Sequence, residues 1–197
     1  MSEQRIVSLY LETNPNPNSL KFVANSMLVK EGESYDFPDV KSAENAPLAE
    51  ELFKYPYVKR VFYMSNFVTV TKADDVDWLE VQDELKQHIK SYLEQEKPLL
   101  TADYEKATQG QSQSIESTQG PEIEQKIVSI LEEYVKPAVE QDGGAISFES
   151  FDDGVVTVLL QGSCSGCPSS TLTLKSGIEN LLKRMLPEVE SVEALGV

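Results

Sequence analysis

Apolar and polar positions alternate over Ile6–Glu12 and Ser19–Ala24, the period of two that marks half-buried strands. Between them Thr13-Asn14-Pro15-Asn16-Pro17-Asn18 reads as a turn or extended loop, because proline withholds an amide and asparagine caps its own backbone. Residues 44–55 fit a helix with Leu48, Leu52 and Phe53 on one face. Lys59–Met64 and Phe67–Lys72 fit a hairpin around Ser65-Asn66. Asp77 is placed to cap a helix from Trp78 to Glu96, with Leu79, Leu85, Ile89 and Leu93 expected toward the core. Trp78, Phe53, Phe62 and Phe67 read as core aromatics, and His88 as a solvated helix residue.

Further along, Ile123, Ile127, Ile130, Leu131, Tyr134, Val135 and Ala138 recur at helical spacing, with Pro137 expected to loosen the last turn. Asp142-Gly143-Gly144 supplies a helix stop and a turn that could abut the loop after the next hairpin. Ile146 and Phe148 alternate with polar residues as in a strand, and Asp152-Asp153-Gly154 is a hairpin turn signal. Val155–Leu160 reads as the central strand. Leu174, Ile178, Leu181, Leu182 and Met185 mark a helix that Pro187 ends, and Val189–Leu195 supplies a last strand. The order is helix-strand-strand-helix-strand, with the final strand returning by a crossover expected to be right-handed. Both halves are therefore α+β. The fold expected is two small α+β domains, 1–100 and 121–197, joined by a flexible linker over 101–120, whose segment TQGQSQSIESTQG is too polar to bury a core.

Composition narrows what such a chain can do. Its 197 residues suit two small domains. With 17 basic against 33 acidic residues the net charge is −16, acid predominating in both halves, and such a surface repels nucleic acid and anionic membranes. No apolar run approaches the roughly 18 residues of a membrane helix, and no export signal stands at the start, so a cytoplasmic location is expected.

Both cysteines, Cys164 and Cys167, fall in one C-x-x-C between the central strand and the helix that follows. A secreted disulfide scaffold shows more cysteines at wider spacing, so the pair reads as redox or metal chemistry. Two thiols three positions apart can reach one metal centre, as in zinc and iron–sulfur sites. Gly162 and Gly166 admit bulky sulfur, and Pro168 suits a first helical position, which sets Cys167 near a helix N-terminus. A local disulfide, a zinc site of two C-x-x-C loops from two chains, and a thiol–disulfide oxidoreductase all remain open on the pair alone.

The stretch V-K-P-A-V-E-Q-D-G-G, followed by G-S-C-S-G-C-P-S-S-T-L-T-L-K-S-G-I-E, resembles the C-terminal domain of the NifU/Nfu family of iron–sulfur cluster scaffold and carrier proteins. E-T-N-P-N-P-N-S-L-K-F, A-P-L-A-E-E-L-F and F-V-T-V-T-K are similar to the N-terminal domain of the Nfu branch. The resemblance implies a carrier, not an enzyme, that holds a labile [4Fe–4S] cluster, with [2Fe–2S] the smaller alternative, and passes it to apo iron–sulfur proteins. Its ligands would be Cys164 and Cys167; upstream assembly machinery would load it; zinc would enter as an adventitious guest. A [4Fe–4S] cluster takes four thiolates and one chain offers two, so a homodimer is expected when cluster is bound. The N-terminal half holds no cysteine and is expected to recognise partners.

Overall fold

The computed structural model describes residues 6–102, 104, 121–165 and 168–196. The chain divides into two compact units, Met1–Thr13 with Pro17–Gln113, and Ser114–Val197 with Asn14–Asn16. Each is α+β, as the sequence pattern predicts. The segment 105–120, most of the expected linker, lies outside the described residues.

The first unit is a five-stranded sheet, β1 (Leu9–Thr13), β2 (Ser19–Ala24), β3 (Ser34–Phe37), β4 (Val58–Met64) and β5 (Phe67–Lys72), in the order β1-β2-β5-β4-β3. All its pairings are antiparallel. Two helices, α1 (Pro47–Leu52) and α2 (Trp78–Glu94), complete it. Phe22, Val61, Tyr63, Val68 and Val70 from the sheet pack with Leu48, Leu52, Leu85 and Ile89 from the helices.

Four details depart from expectation. The first strand begins at Leu9, and Ile6 is exposed. Strand β3 was not anticipated; its four residues sit beside Pro38, and their pairing depends on β4, a long-range partner. Helix α1 starts at Pro47, where a missing amide costs nothing, and is shorter than 44–55. Leu79 does not face the core but is 79% exposed. Val81, Leu85, Ile89 and Tyr92 make the buried stripe, at spacings of four and three, and Leu79 lies six positions before Leu85, off that face. The Asp77 cap stands, its carboxylate accepting the Leu79 amide at 3.0 Å. Phe62 and Phe67 are buried, while Trp78 and Phe53 are partly buried against the core.

The second unit runs α3 (Glu122–Ile130), a π turn (Leu131–Val135), α4 (Lys136–Gln141), β6 (Gly144–Asp152), β7 (Val155–Gly162), α5 (Pro168–Met185) and β8 (Ser191–Gly196). Its sheet order is β6-β7-β8, so β7 is central, antiparallel to β6 and parallel to β8. The parallel pair requires the crossover that α5 supplies. Pro137 cannot donate to the carbonyl four residues back, and its ring would crowd it; the wide turn over Leu131–Val135 precedes it. That extra residue rotates the buried stripe onto Ile127, Leu131, Val135 and Val139, leaving Tyr134 and Ala138 exposed, contrary to the simple helical count. Met185 is likewise 45% exposed, and Leu186 takes the buried position.

Candidate functional site

The cysteine loop leaves β7 at Gly162, whose φ of +66° turns the chain out of the strand. It ends at Pro168, the first residue of α5. Cys167 lies outside the described residues. Cys164 is described, and it is buried: it belongs to the apolar core of its unit with Val158, Leu160, Ile178 and Leu182.

The turn after α4 shapes the place where Cys164 sits. Asp142 ends the helix, and Gly143 follows at φ +81°, a left-handed conformation that suits glycine. Gly144 then opens β6 directly opposite Gly162 of β7. A Cβ at Gly144 would fall 2.6 Å from the Gln161 carbonyl and 2.9 Å from Cys164 Sγ, so no side chain fits there. Ser163 is bonded twice to the same turn: its amide donates to the Gly143 carbonyl at 3.3 Å, and its hydroxyl donates to the Asp142 carbonyl. On the far side of the loop, the Thr171 hydroxyl donates to the Cys164 carbonyl at 3.1 Å. The Asp-Gly-Gly turn thus abuts the cysteine loop, as its sequence admits. For Ser163 and Thr171 the only signal in the sequence is their place on either side of the cysteine pair.

Burial pushes the Cys164 thiol up to about 11, and the Asp142 carboxylate adds to the rise while the Ser163 hydroxyl, 3.8 Å from Sγ, opposes it. At neutral pH the group is therefore a protonated thiol. Among the described residues no three His, Cys, Asp or Glu side chains converge as a metal site.

His88 is not the solvated residue expected. It lies half-buried in the first unit, with Nε2 2.9 Å from Glu51 Oε2 and Nδ1 3.0 Å from the Tyr55 hydroxyl. No cysteine stands near it in this unit, which contains none.

Comparison with known proteins gives a family model described as "Scaffold protein Nfu/NifU N terminal", matching residues 9–96, and one described as "NifU-like domain", matching 127–193. The human "NFU1 iron-sulfur cluster scaffold homolog, mitochondrial" is 38% identical over 190 residues, 96% of this chain and 72% of the relative. The Arabidopsis thaliana "NifU-like protein 4, mitochondrial" is 39% identical over 193 residues, 97% of this chain and 67% of the relative. The NFU1 homolog of Drosophila willistoni is 37% identical over 190 residues, 96% of this chain and 64% of its own. The chain thus spans about two thirds of the length of the curated relatives it matches. The solution structure of a Saccharomyces cerevisiae NifU-like protein aligns over 52% of this chain and 91% of its own, at 24% identity and a TM-score of 0.46. The expectation of a cytoplasmic location is overturned here, since these curated relatives are mitochondrial by name.

Proposed function

The chain belongs to the Nfu/NifU family of iron–sulfur cluster scaffold proteins, and from that membership we propose that it binds a cluster as cargo through Cys164 and Cys167 and hands it to apo iron–sulfur proteins. Such a scaffold is a binding protein and not an enzyme. The observation that carries the ligand assignment is the placement of Cys164 at a strand-to-helix loop, shaped by a turn that leaves no side chain between sulfur and strand. On loading, the neutral Cys164 thiol gives its proton to solvent as sulfur bonds to iron.

Stoichiometry sets the quaternary state. A [4Fe–4S] cluster takes four thiolates, and each chain brings two cysteines. Two chains therefore share one cluster, with Cys164 and Cys167 from each. A bridging cluster is shed when the pair separates, which suits a donor. Upstream assembly machinery loads the protein, and apo-proteins unload it. The unit over residues 1–100 serves partner recognition, and 101–120 acts as the tether.

The thiol–disulfide oxidoreductase reading loses ground on Cys164, because an attacking thiol needs a depressed pKa and this one is raised. The test is anaerobic reconstitution with iron and sulfide, read by Mössbauer spectroscopy and native mass on one sample. One [4Fe–4S] cluster per two chains is expected, lost in Cys164→Ala and in Cys167→Ala. One intact cluster on a single chain would overturn the bridge. No cluster at all, with only zinc or a disulfide, would overturn the carrier.

A further inference from the structure

We propose that Gly144 and Ser163 are positioning residues for the Cys164 ligand: together they mould the niche that sets how deep the sulfur lies. This rests on the reading of Cys164 as a cluster ligand. At the open end of the β6–β7 hairpin the two cross-strand partners are both glycine, Gly144 opposite Gly162. Most antiparallel pairs set two side chains against each other; here Cys164 Sγ lies 2.9 Å from where a Gly144 Cβ would stand. The second close atom, the Gln161 carbonyl at 2.6 Å, belongs to strand backbone and cannot swing aside. A methyl group at 144 therefore shifts β6 against β7 as well as displacing the cysteine. Gly144 has no positive φ to require glycine, so the requirement is one of space.

Ser163 holds the other wall. Its amide and hydroxyl both bond to carbonyls of the turn that carries Gly144, Gly143 and Asp142 respectively. The residue is 2% exposed, so these bonds are made largely out of competition with water. Loss of the hydroxyl leaves only the amide bond to hold the residue preceding Cys164 to the turn, and takes that donor from the Asp142 carbonyl. The two residues act through the cysteine, one by absence of bulk and one by tethering the backbone.

The test uses the full chain, free of cluster, alkylated at one pH with each cysteine followed by peptide mass. In Gly144→Ala, Cys164 is expected to react at least about tenfold faster than in the wild type, since thiol reactivity follows exposure. Ser163→Ala is expected to move the same way by a smaller factor, and Ser163→Thr, which keeps the hydroxyl, to restore the wild-type rate. Cluster occupancy after reconstitution should fall in the order of these rates. A Cys164 rate unchanged in both Gly144→Ala and Ser163→Ala, each verified as folded by its amide spectrum, would overturn the proposal. If Gly144→Ala does not fold, the Ser163 pair decides: equal rates in Ala and Thr overturn it. A wild-type chain that takes up no cluster would instead sink the carrier reading, with the alkylation rates still testing the niche.

Discussion

The Glu179 carboxylate of α5 accepts the Val192 amide of β8 at 3.1 Å, tying the crossover helix to the strand it delivers. Lys183, one turn on, bonds the same carboxylate at 2.7 Å. Lys183 first, and then the Val192 amide, hold the Glu179 carboxyl below its ordinary pKa. A carboxyl depressed on folding stabilises the fold above its unfolded pKa of about 4.3, and the gain is lost as pH falls through the folded value. Acid unfolding of Glu179→Gln is therefore expected to show a shallower loss of stability below that point than the wild type. Superimposable acid limbs would contradict the assignment.

Leu85 and Leu79 share a helix and differ in every contact that matters. Leu85 is fully buried and Leu79 is 79% exposed. Leu85→Ala is expected to cost about 2–5 kcal/mol in denaturant unfolding of the first unit. Leu79→Ala should change it by no more than about 0.5 kcal/mol. Comparable costs at the two positions would mean that the stripe is misplaced.

The core of the second unit is assembled from apolar side chains, among them Ile127, Val156, Val158, Leu160, Ile178 and Leu182. Stripping the cluster with a chelator is accordingly expected to leave far-ultraviolet circular dichroism unchanged, with a cooperative melt still present. A zinc-stapled domain behaves otherwise and unfolds when the metal leaves. Loss of the melt on chelation would favour that structural role.

His88 is held between an acceptor and a donor, and this dictates its tautomer. The Glu51 carboxylate accepts a hydrogen bond from Nε2–H, so in the neutral ring Nδ1 accepts from the Tyr55 hydroxyl. Nitrogen shifts of the neutral ring are expected to show the proton on Nε2. In Tyr55→Phe the Nδ1 resonance should move while the Nε2 proton stays in place; a proton on Nδ1 in the wild type would rule the arrangement out.

Much of the architecture was legible from local pattern. Ser19–Ala24, Phe67–Lys72 and the Asp77 cap fall where alternation and capping chemistry place them, although β2 is buried at every position and not on one face alone. The misses have separate physical causes. Strand β3 is four residues long and owes its order to β4. The stripe of the second unit's first helix was read at a constant period, and the π turn before Pro137 breaks that period. His88 reads as solvated from the sequence because its partners Glu51 and Tyr55 lie more than thirty positions away and meet it only by packing.

The sequence by itself determined the α+β class of both units, the turn at Asp153-Gly154, and the family motif that contains the C-x-x-C, since those depend on residue type and short spacing. What only the tertiary structure decided is where Cys164 lies. Counted back from the Asp153-Gly154 turn in plain register, Gly144 would face Ser163; the irregularity between Phe148 and Ser150 absorbs one residue and sets Gly144 against Gly162 instead. A strand's neighbours are chosen by packing across the whole sheet, and one inserted residue exchanges them. That exchange sets two glycines opposite each other, and Cys164 Sγ lies 2.9 Å from where a Gly144 Cβ would stand.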